Sequence, residues 1–312
     1  MSGNQIFIRI FCLFVTVLML VGCLPEIEPT LSIPENSIIT SDISGWVVYS
    51  AFKDNQTSEK AIFLKNLDTN EIVQLTDSGS NSKPEWSPDG EQILYLSWTD
   101  TNQYDINMMD KVGNNQKELL STPANERMAR WSPDGKNIVF VSDADGSDDI
   151  YMMRLETLDI TRLTSFPGEK LFPAWSSDGS RIVFVSSEKD GRQQIFSVYI
   201  NGENIQQLTK FDLDHFDMEP VWCPDDACII FTRLDGPARL MFLDLATLTE
   251  SYLLNGGLEI NGSQQYDEGN PDISPVRGYL TFSVQGIFYA MDIETKTILP
   301  LNIQALDVSL YP

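Results

Sequence analysis

Trp131-Ser132-Pro133-Asp134-Gly135-Lys136-Asn137-Ile138-Val139-Phe140-Val141-Ser142 is written several times over in this chain. Copies stand at Trp86-Ser87-Pro88-Asp89-Gly90 and Trp175-Ser176-Ser177-Asp178-Gly179. A worn copy reads Trp222-Cys223-Pro224-Asp225-Asp226, and a fifth, Ile273-Ser274-Pro275, has lost its Trp. The anchors 86, 131, 175, 222 and 273 lie 45, 44, 47 and 51 residues apart, a spacing that marks a repeat array. Ser-Pro-Asp-Gly is turn chemistry: Pro presets φ, Asp suits the next position, and Gly takes a left-handed conformation. The flanking runs alternate apolar and polar residues, as in Ile138/Phe140 and Ile182/Phe184, the period of a half-buried strand. Each unit therefore opens with a hairpin. A second strand pair follows, as in Ile150–Met153 with Ile160–Thr164, and Ile195–Val198 with Ile205–Thr209.

Four strands per unit of this length describe a blade, and counting strand sets yields six. The expected fold is all-β, a six-bladed propeller over residues 45–312. The first unit starts at Trp46 without an anchor strand of its own, and Val308-Ser309-Leu310-Tyr311-Pro312 mimics Pro84-Glu85-Trp86-Ser87-Pro88. The C-terminal strand Val308–Tyr311 is thus expected to complete the N-terminal blade and remove the two exposed sheet edges.

Upstream of the repeats, Ile10 to Val21 is an apolar run and Arg9 is the only charge in residues 1–22. From Ile10 to Gly22 a helix would span about 20 Å, short of the roughly 30 Å hydrocarbon core, so a signal peptide is expected over residues 1–22. Leu20-Val21-Gly22-Cys23 resembles the bacterial lipobox, which implies lipidation of Cys23 and stable anchoring by more than one acyl chain. Residues 23–44 hold Pro25, Pro29 and Pro34 among glutamates and read as a semi-rigid tether.

The formal net charge of −24 argues against nucleic acid and anionic lipid surfaces as partners. Cys223 and Cys228 flank a turn. Export permits a disulfide. A three-residue turn register would place the two diagonally, and the alternative is two free, largely buried thiols, so the sequence leaves the pair open.

The repeats resemble those of the six-bladed propeller of the TolB family, the periplasmic component of the Tol–Pal envelope system, over nearly all of residues 46–312. The resemblance implies an envelope protein, on the periplasmic or cell-surface side, that binds a protein or peptide at the propeller mouth. TolB carries an α/β domain before its propeller, whereas only a tether is expected here, so contacts with inner-membrane partners are not carried over.

Catalytic chemistry is sparse. His215 is the single histidine, and there is no Gly-x-Ser-x-Gly elbow, phosphate loop or zinc spacing. A binding or scaffolding module without catalysis is expected. The alternative is a propeller enzyme acting on carbohydrate or peptide through carboxylates at the channel mouth. No cofactor is implied, and Asp143, Asp145 and Asp148 are weak Ca²⁺ candidates that lack the closing Glu of an EF-hand loop. The segments preceding the anchors vary in charge and size while the anchors repeat, as where framework and individual function separate. The expected partner-binding rim is Glu126, Arg127, Arg130, Lys170, Phe172, Asp217, Glu219, Tyr266 and Glu268, with the long loop from Leu253 to Pro271 beside it.

Overall fold

A computed structural model describes residues 45–54, 58–98, 103–187, 192–210, 215–254, 258–260, 263–265, 268–274, 279–293, 298–305 and 307–311. Cys23, the signal peptide and the tether lie outside the described residues.

Six four-stranded antiparallel sheets form the blades. From the channel outward, blade 1 consists of Asp307–Tyr311, Trp46–Phe52, Lys60–Asn66 and Ile72–Gln74. Blade 2 consists of Ser80–Trp86, Gln92–Trp98, Tyr104–Asp110 and Lys117–Leu120. Blade 3 has Arg127–Trp131, Asn137–Ser142, Asp149–Arg154 and Ile160–Arg162, and blade 4 has Lys170–Trp175, Arg181–Ser187, Gln193–Tyr199 and Gln206–Gln207. Blade 5 has Phe216–Trp222, Cys228–Leu234, Ala238–Asp244 and Thr249–Tyr252, and blade 6 has Glu268–Ile273, Tyr279–Val284, Ile287–Asp292 and Ile298–Gln304. An extra hairpin, Leu258–Ile260 with Ser263–Gln265, stands in the long connection between blades 5 and 6. The C-terminal strand pairs Tyr311 with Trp46 and Val308 with Tyr49, so it closes the ring as expected.

The repeated turn works through a side-chain clasp. Ser132 Oγ donates to Asp134 Oδ1 at 2.6 Å and accepts the Asn137 amide at 2.9 Å, while Asp134 Oδ1 also receives the Lys136 amide. Ser87 and Ser176 repeat the arrangement, taking the amides of Gln92 and Arg181. At the other end of blades 1, 3 and 4 a Leu-Thr pair recurs. Leu163 N–H bonds Ile150 O while Thr164 Oγ1 accepts the Ile150 amide, and Leu75/Thr76 and Leu208/Thr209 do the same on Ile62 and Ile195.

In blade 5 the clasp is covalent. Cys223 and Cys228 form a disulfide with Cα atoms 5.3 Å apart, which decides between the two alternatives the sequence left open. Trp222 pairs with Ile229, and the Cys223 amide bonds Cys228 O, so the cysteines face each other directly rather than diagonally. The bridge joins the two positions that Ser87 Oγ and the Gln92 amide join in blade 2.

Apolar residues pack in the seams between neighbouring blades. Trp86 and Trp131 are 4% and 6% exposed, within clusters that combine blades 1 with 2 and 2 with 3. Trp222 fills the seam of blades 4 and 5, with the Arg181 guanidinium 4.4 Å over its ring. Trp175 differs from these three: it packs at the edge of its seam, half-buried, and its indole N–H donates to Arg130 O.

Candidate functional site: a blind cup at the channel mouth

A propeller sheet turns its faces toward the neighbouring blades and only its inner edge toward the channel. A regular inner strand would therefore present mainly backbone to the lumen. Five of the inner strands here avoid this with the same irregularity. The pairing slips by one residue between Ser82 and Glu85, Arg127 and Arg130, Leu171 and Ala174, Met218 and Val221, and Gly269 and Asp272. Within each bulge the residue three before the anchor is left-handed: Lys83, Met128, Phe172, Glu219 and Asn270 all have φ between 52° and 55°. A non-glycine residue pays of order 1 kcal/mol or more for this conformation. The bulge swings its side chain from the seam into the lumen. Pro84, Pro173, Pro220 and Pro271 follow four of these residues, at a point where a missing N–H costs the ladder least.

These residues and Asp307 wall a small cavity that opens at the channel mouth. Its floor is the next charged layer. Arg130 of blade 3 reaches across the channel to Asp272 of blade 6, Nη1 to Oδ1 at 3.0 Å. Glu85 of blade 2 lies beside this bar, its Oε1 accepting the Trp131 amide at 3.3 Å, while its Oε2 reaches neither solvent nor a partner. The lumen is thus barred at this level, and what remains is a cup.

Charge in the cup is largely paired. Lys83 Nζ contacts Asp307, whose other oxygen receives the Lys83 amide at 3.3 Å. Burial alone would raise the Asp307 carboxyl, but the Lys83 ammonium and the hydrogen bonds from Lys83 and Ser50 hold it below the ordinary range. Glu85 goes the other way. Burial pushes it up to about 8, against the pull of the nearby Arg130 and with the help of Asp272. Asp272 is likewise raised by burial, with Arg130 opposing. Glu219 takes the Asn270 amide at 2.9 Å and the Thr232 hydroxyl at 3.1 Å, both on Oε2.

The expected rim divides in two. Arg130, Phe172 and Glu219 do come together in the cup. Glu126, Lys170 and Asp217 do not. Five residues before the anchor, the side chain lies on the seam side of the bulge, and these three are 1%, 0% and 0% exposed. Glu126 accepts from Thr122, Lys170 sits 3.4 Å from Asp149 and 4.0 Å above the Phe166 ring, and Asp217 holds Arg233 through both carboxylate oxygens. They are internal struts and give no rim surface. Arg127 turns outward to Asp148. Tyr266 lies outside the described residues, and Glu268 is placed only as the first residue of the inner strand of blade 6. Lys83, Met128, Asn270, Asp272, Glu85 and Asp307 belong to the cup but were not in the expected rim. The recurring Pro just before the anchor was the available signal for the bulge.

The Ca²⁺ candidates do not fit the ion. Asp143 Oδ1 takes the Asn125 amide, Asp145 Oδ2 takes the Tyr151 hydroxyl and Arg162, and Asp148 pairs with Arg127. Their oxygens are directed at protein donors and do not converge. Among the described residues the metal-ligand types gather only at Cys223, Asp225 and Cys228, where both sulfurs are in the disulfide.

The chain matches the family model of the TolB beta propeller domain over residues 30–164 and 130–285. No match is found among curated proteins. Among solved structures, TolB from Acinetobacter baumannii is similar at 22% identity and a TM-score of 0.66, over 86% of this chain and 66% of that one. The chain therefore spans slightly less than two thirds of that protein. A candidate TolB from Agrobacterium tumefaciens is 24% identical, with a TM-score of 0.55, over 64% of this chain and 75% of that one. An oligogalacturonate lyase solved with manganese shares 13% identity and a TM-score of 0.54, over 77% of this chain and 70% of that one. At these identities the likeness concerns the fold. The family match, which extends over most of the repeats that build the cup, carries the assignment: this chain belongs to the TolB β-propeller family.

Proposed function

We propose that this chain is an exported propeller, anchored by lipid at Cys23, that binds a protein or peptide of the bacterial envelope at the mouth of its channel and catalyses nothing itself. The observation that carries the reading is the set of five strained bulges. They hold a constant backbone and present side chains that differ from blade to blade, Lys83, Met128, Phe172, Glu219 and Asn270. Strain kept at equivalent places in five repeats is of no use to packing and suits recognition. Membership of the TolB family supports an envelope setting, periplasmic or at the cell surface. The apolar run ending at Leu20-Val21-Gly22-Cys23 supports the anchor.

The test uses the full chain expressed in a bacterium. Cys23→Ser should leave the membrane fraction or remain unprocessed, and normal processing with membrane retention would remove the anchor from the proposal. Affinity capture from membranes should recover a partner with the parent chain. Phe172→Asp combined with Asn270→Lys should reduce that capture at least about tenfold, the loss of one well-placed contact or more, with the melting temperature nearly unchanged. Undiminished capture by the double variant would place the partner surface elsewhere.

A further inference from the structure

The cup is lopsided in a way that specifies what enters it. Its apolar wall is contiguous, Met128 on blade 3 and Phe172 on blade 4. Beside Phe172, on blade 5, stands Glu219. In a ring of six, blade 5 is opposite blade 2, so Glu219 faces Lys83 across the cup; Lys83 and Arg130 sense its charge, but each is in ion-pair contact with another acid. Among the described residues the other acids of the cup are accounted for. Asp307 is neutralised by Lys83 and Asp272 by Arg130. Glu85 has an oxygen sealed from solvent, and burial favours its neutral form near pH 7. Glu219 has no Lys or Arg within ion-pair distance, and both of its hydrogen bonds fall on Oε2. Its Oε1 is left without a hydrogen-bond donor among the described residues, at the end of an apolar wall.

We propose that the cup receives the side chain of a lysine or arginine from the protein partner, its aliphatic stem against Met128 and Phe172 and its cationic head on Glu219 Oε1. The proposal rests on the reading that the partner docks at the mouth. The chemistry is that of a long basic side chain, which buries methylenes along apolar surface while its head finds a carboxylate. The net charge of −24 favours the approach of such a partner. A carboxylate-bearing group would instead be repelled by Glu219, while both cations of the cup already hold Asp307 and Asp272 in ion pairs.

The test titrates capped single residues into the full-length protein, followed by NMR or calorimetry at low salt. The probes are the N-acetyl methylamides of lysine, arginine, norleucine and glutamate. Lysine and arginine probes should saturate in the millimolar range, with norleucine and glutamate at least about tenfold weaker, since the single charge contact accounts for most of the affinity. Glu219→Gln should abolish the preference for lysine over norleucine and leave the melting temperature unchanged, because the amide oxygen still accepts from Asn270 and Thr232. Met128→Ala should weaken lysine and norleucine probes alike. Equal binding of the glutamate probe, lysine binding that survives Glu219→Gln, or no saturation by any probe would each overturn the proposal. Should partner capture nonetheless respond to Phe172→Asp with Asn270→Lys, the mouth reading stands and only the basic side chain falls.

Discussion

Glu85 sits at a point where burial and charge oppose each other. The Arg130 guanidinium beside it favours the carboxylate, yet burial with an unpartnered Oε2 outweighs that attraction, and the carboxyl titrates at about 8 instead of the ordinary 4.5. The unfolded chain releases this proton at the lower value and the folded protein at the higher. Between them folding takes up a proton, so the native state gains stability from Glu85 at low pH and loses it as pH rises from about 5 to 8. The loss should be at least of order 1–2 kcal/mol across this range. Glu85→Gln, which keeps a neutral group of the same shape, should flatten this part of the profile. Urea titrations of both proteins at pH 5, 6.5 and 8 measure the difference. Parallel profiles would mean that Glu85 is ionised in the folded protein throughout. Asp89, Asp134 and Asp178 have the opposite sign. The Ser hydroxyl of each clasp lowers its aspartate, so their contribution is lost only in strong acid.

The turn shows how one geometry is held by different chemistry. Three blades close it with a Ser hydroxyl that accepts an amide five residues on, and blade 5 closes the same span with Cys223–Cys228. Its left-handed position holds Asp226, φ 56°, where the siblings have Gly. The Asp226 carboxylate accepts the amides of Ser177 and Asp178, so the turn of blade 5 is tied to that of blade 4. A loop this short makes the disulfide worth about 2 kcal/mol on chain-entropy grounds. Cys223→Ser with Cys228→Ala restores the hydroxyl of the siblings and should lose less stability than Cys223→Ala with Cys228→Ala, by about 1 kcal/mol, the usual value of one hydrogen bond. Equal losses in thermal denaturation would show that the Ser clasp does not form in this turn. Strand identity and order were legible in the sequence because turn residues and two-residue alternation repeat in register. The side-chain direction at Glu126, Lys170 and Asp217 was not. It depends on the bulge that follows, and one extra residue reverses which way the alternation points. The disulfide stayed undecided for a related reason, because the turn register that sets Cys223 opposite Cys228 is not written in the sequence.

At the scale of the whole molecule the ring is held at six seams, and one of them is made by residues more than two hundred positions apart. The strand Asp307–Tyr311 pairs along Trp46–Ser50, and Val308 and Leu310 join Val47, Phe288, Ala290 and Ile303 in the seam of blades 6 and 1. Leu310, paired with Val47 as Trp86 is with Ile93, fills the place of the missing anchor Trp, and Tyr311 follows it on the side of blade 2. Tyr311 contacts Trp86, ring centroids 5.6 Å apart, and presses so close to Gly90 that a Cβ there would clash with its ring. Asp307 adds the Lys83 pair at the mouth and the Ser50 hydroxyl at 2.8 Å, so the same five residues close the barrel and complete the cup. Closure was readable from the mimicry of Pro84–Pro88 by Val308–Pro312, whereas the role of Asp307 was not, because its partner lies on another blade. Deleting residues 306–312 should expose the inner edge of Trp46–Phe52, strip one wall from the seam, and leave Lys83 without its carboxylate. Several kcal/mol are lost at once from apolar burial alone, at about 1.5–3 kcal/mol for each large side chain. The truncated protein should therefore unfold or aggregate through its free edges. Phe288→Ala, in the same seam but with the strand retained, should lower the melting temperature and leave a soluble monomer. Size-exclusion chromatography and thermal melting of the two variants separate closure from ordinary core loss, and a soluble truncation with the parent's melting temperature would make the C-terminal strand dispensable.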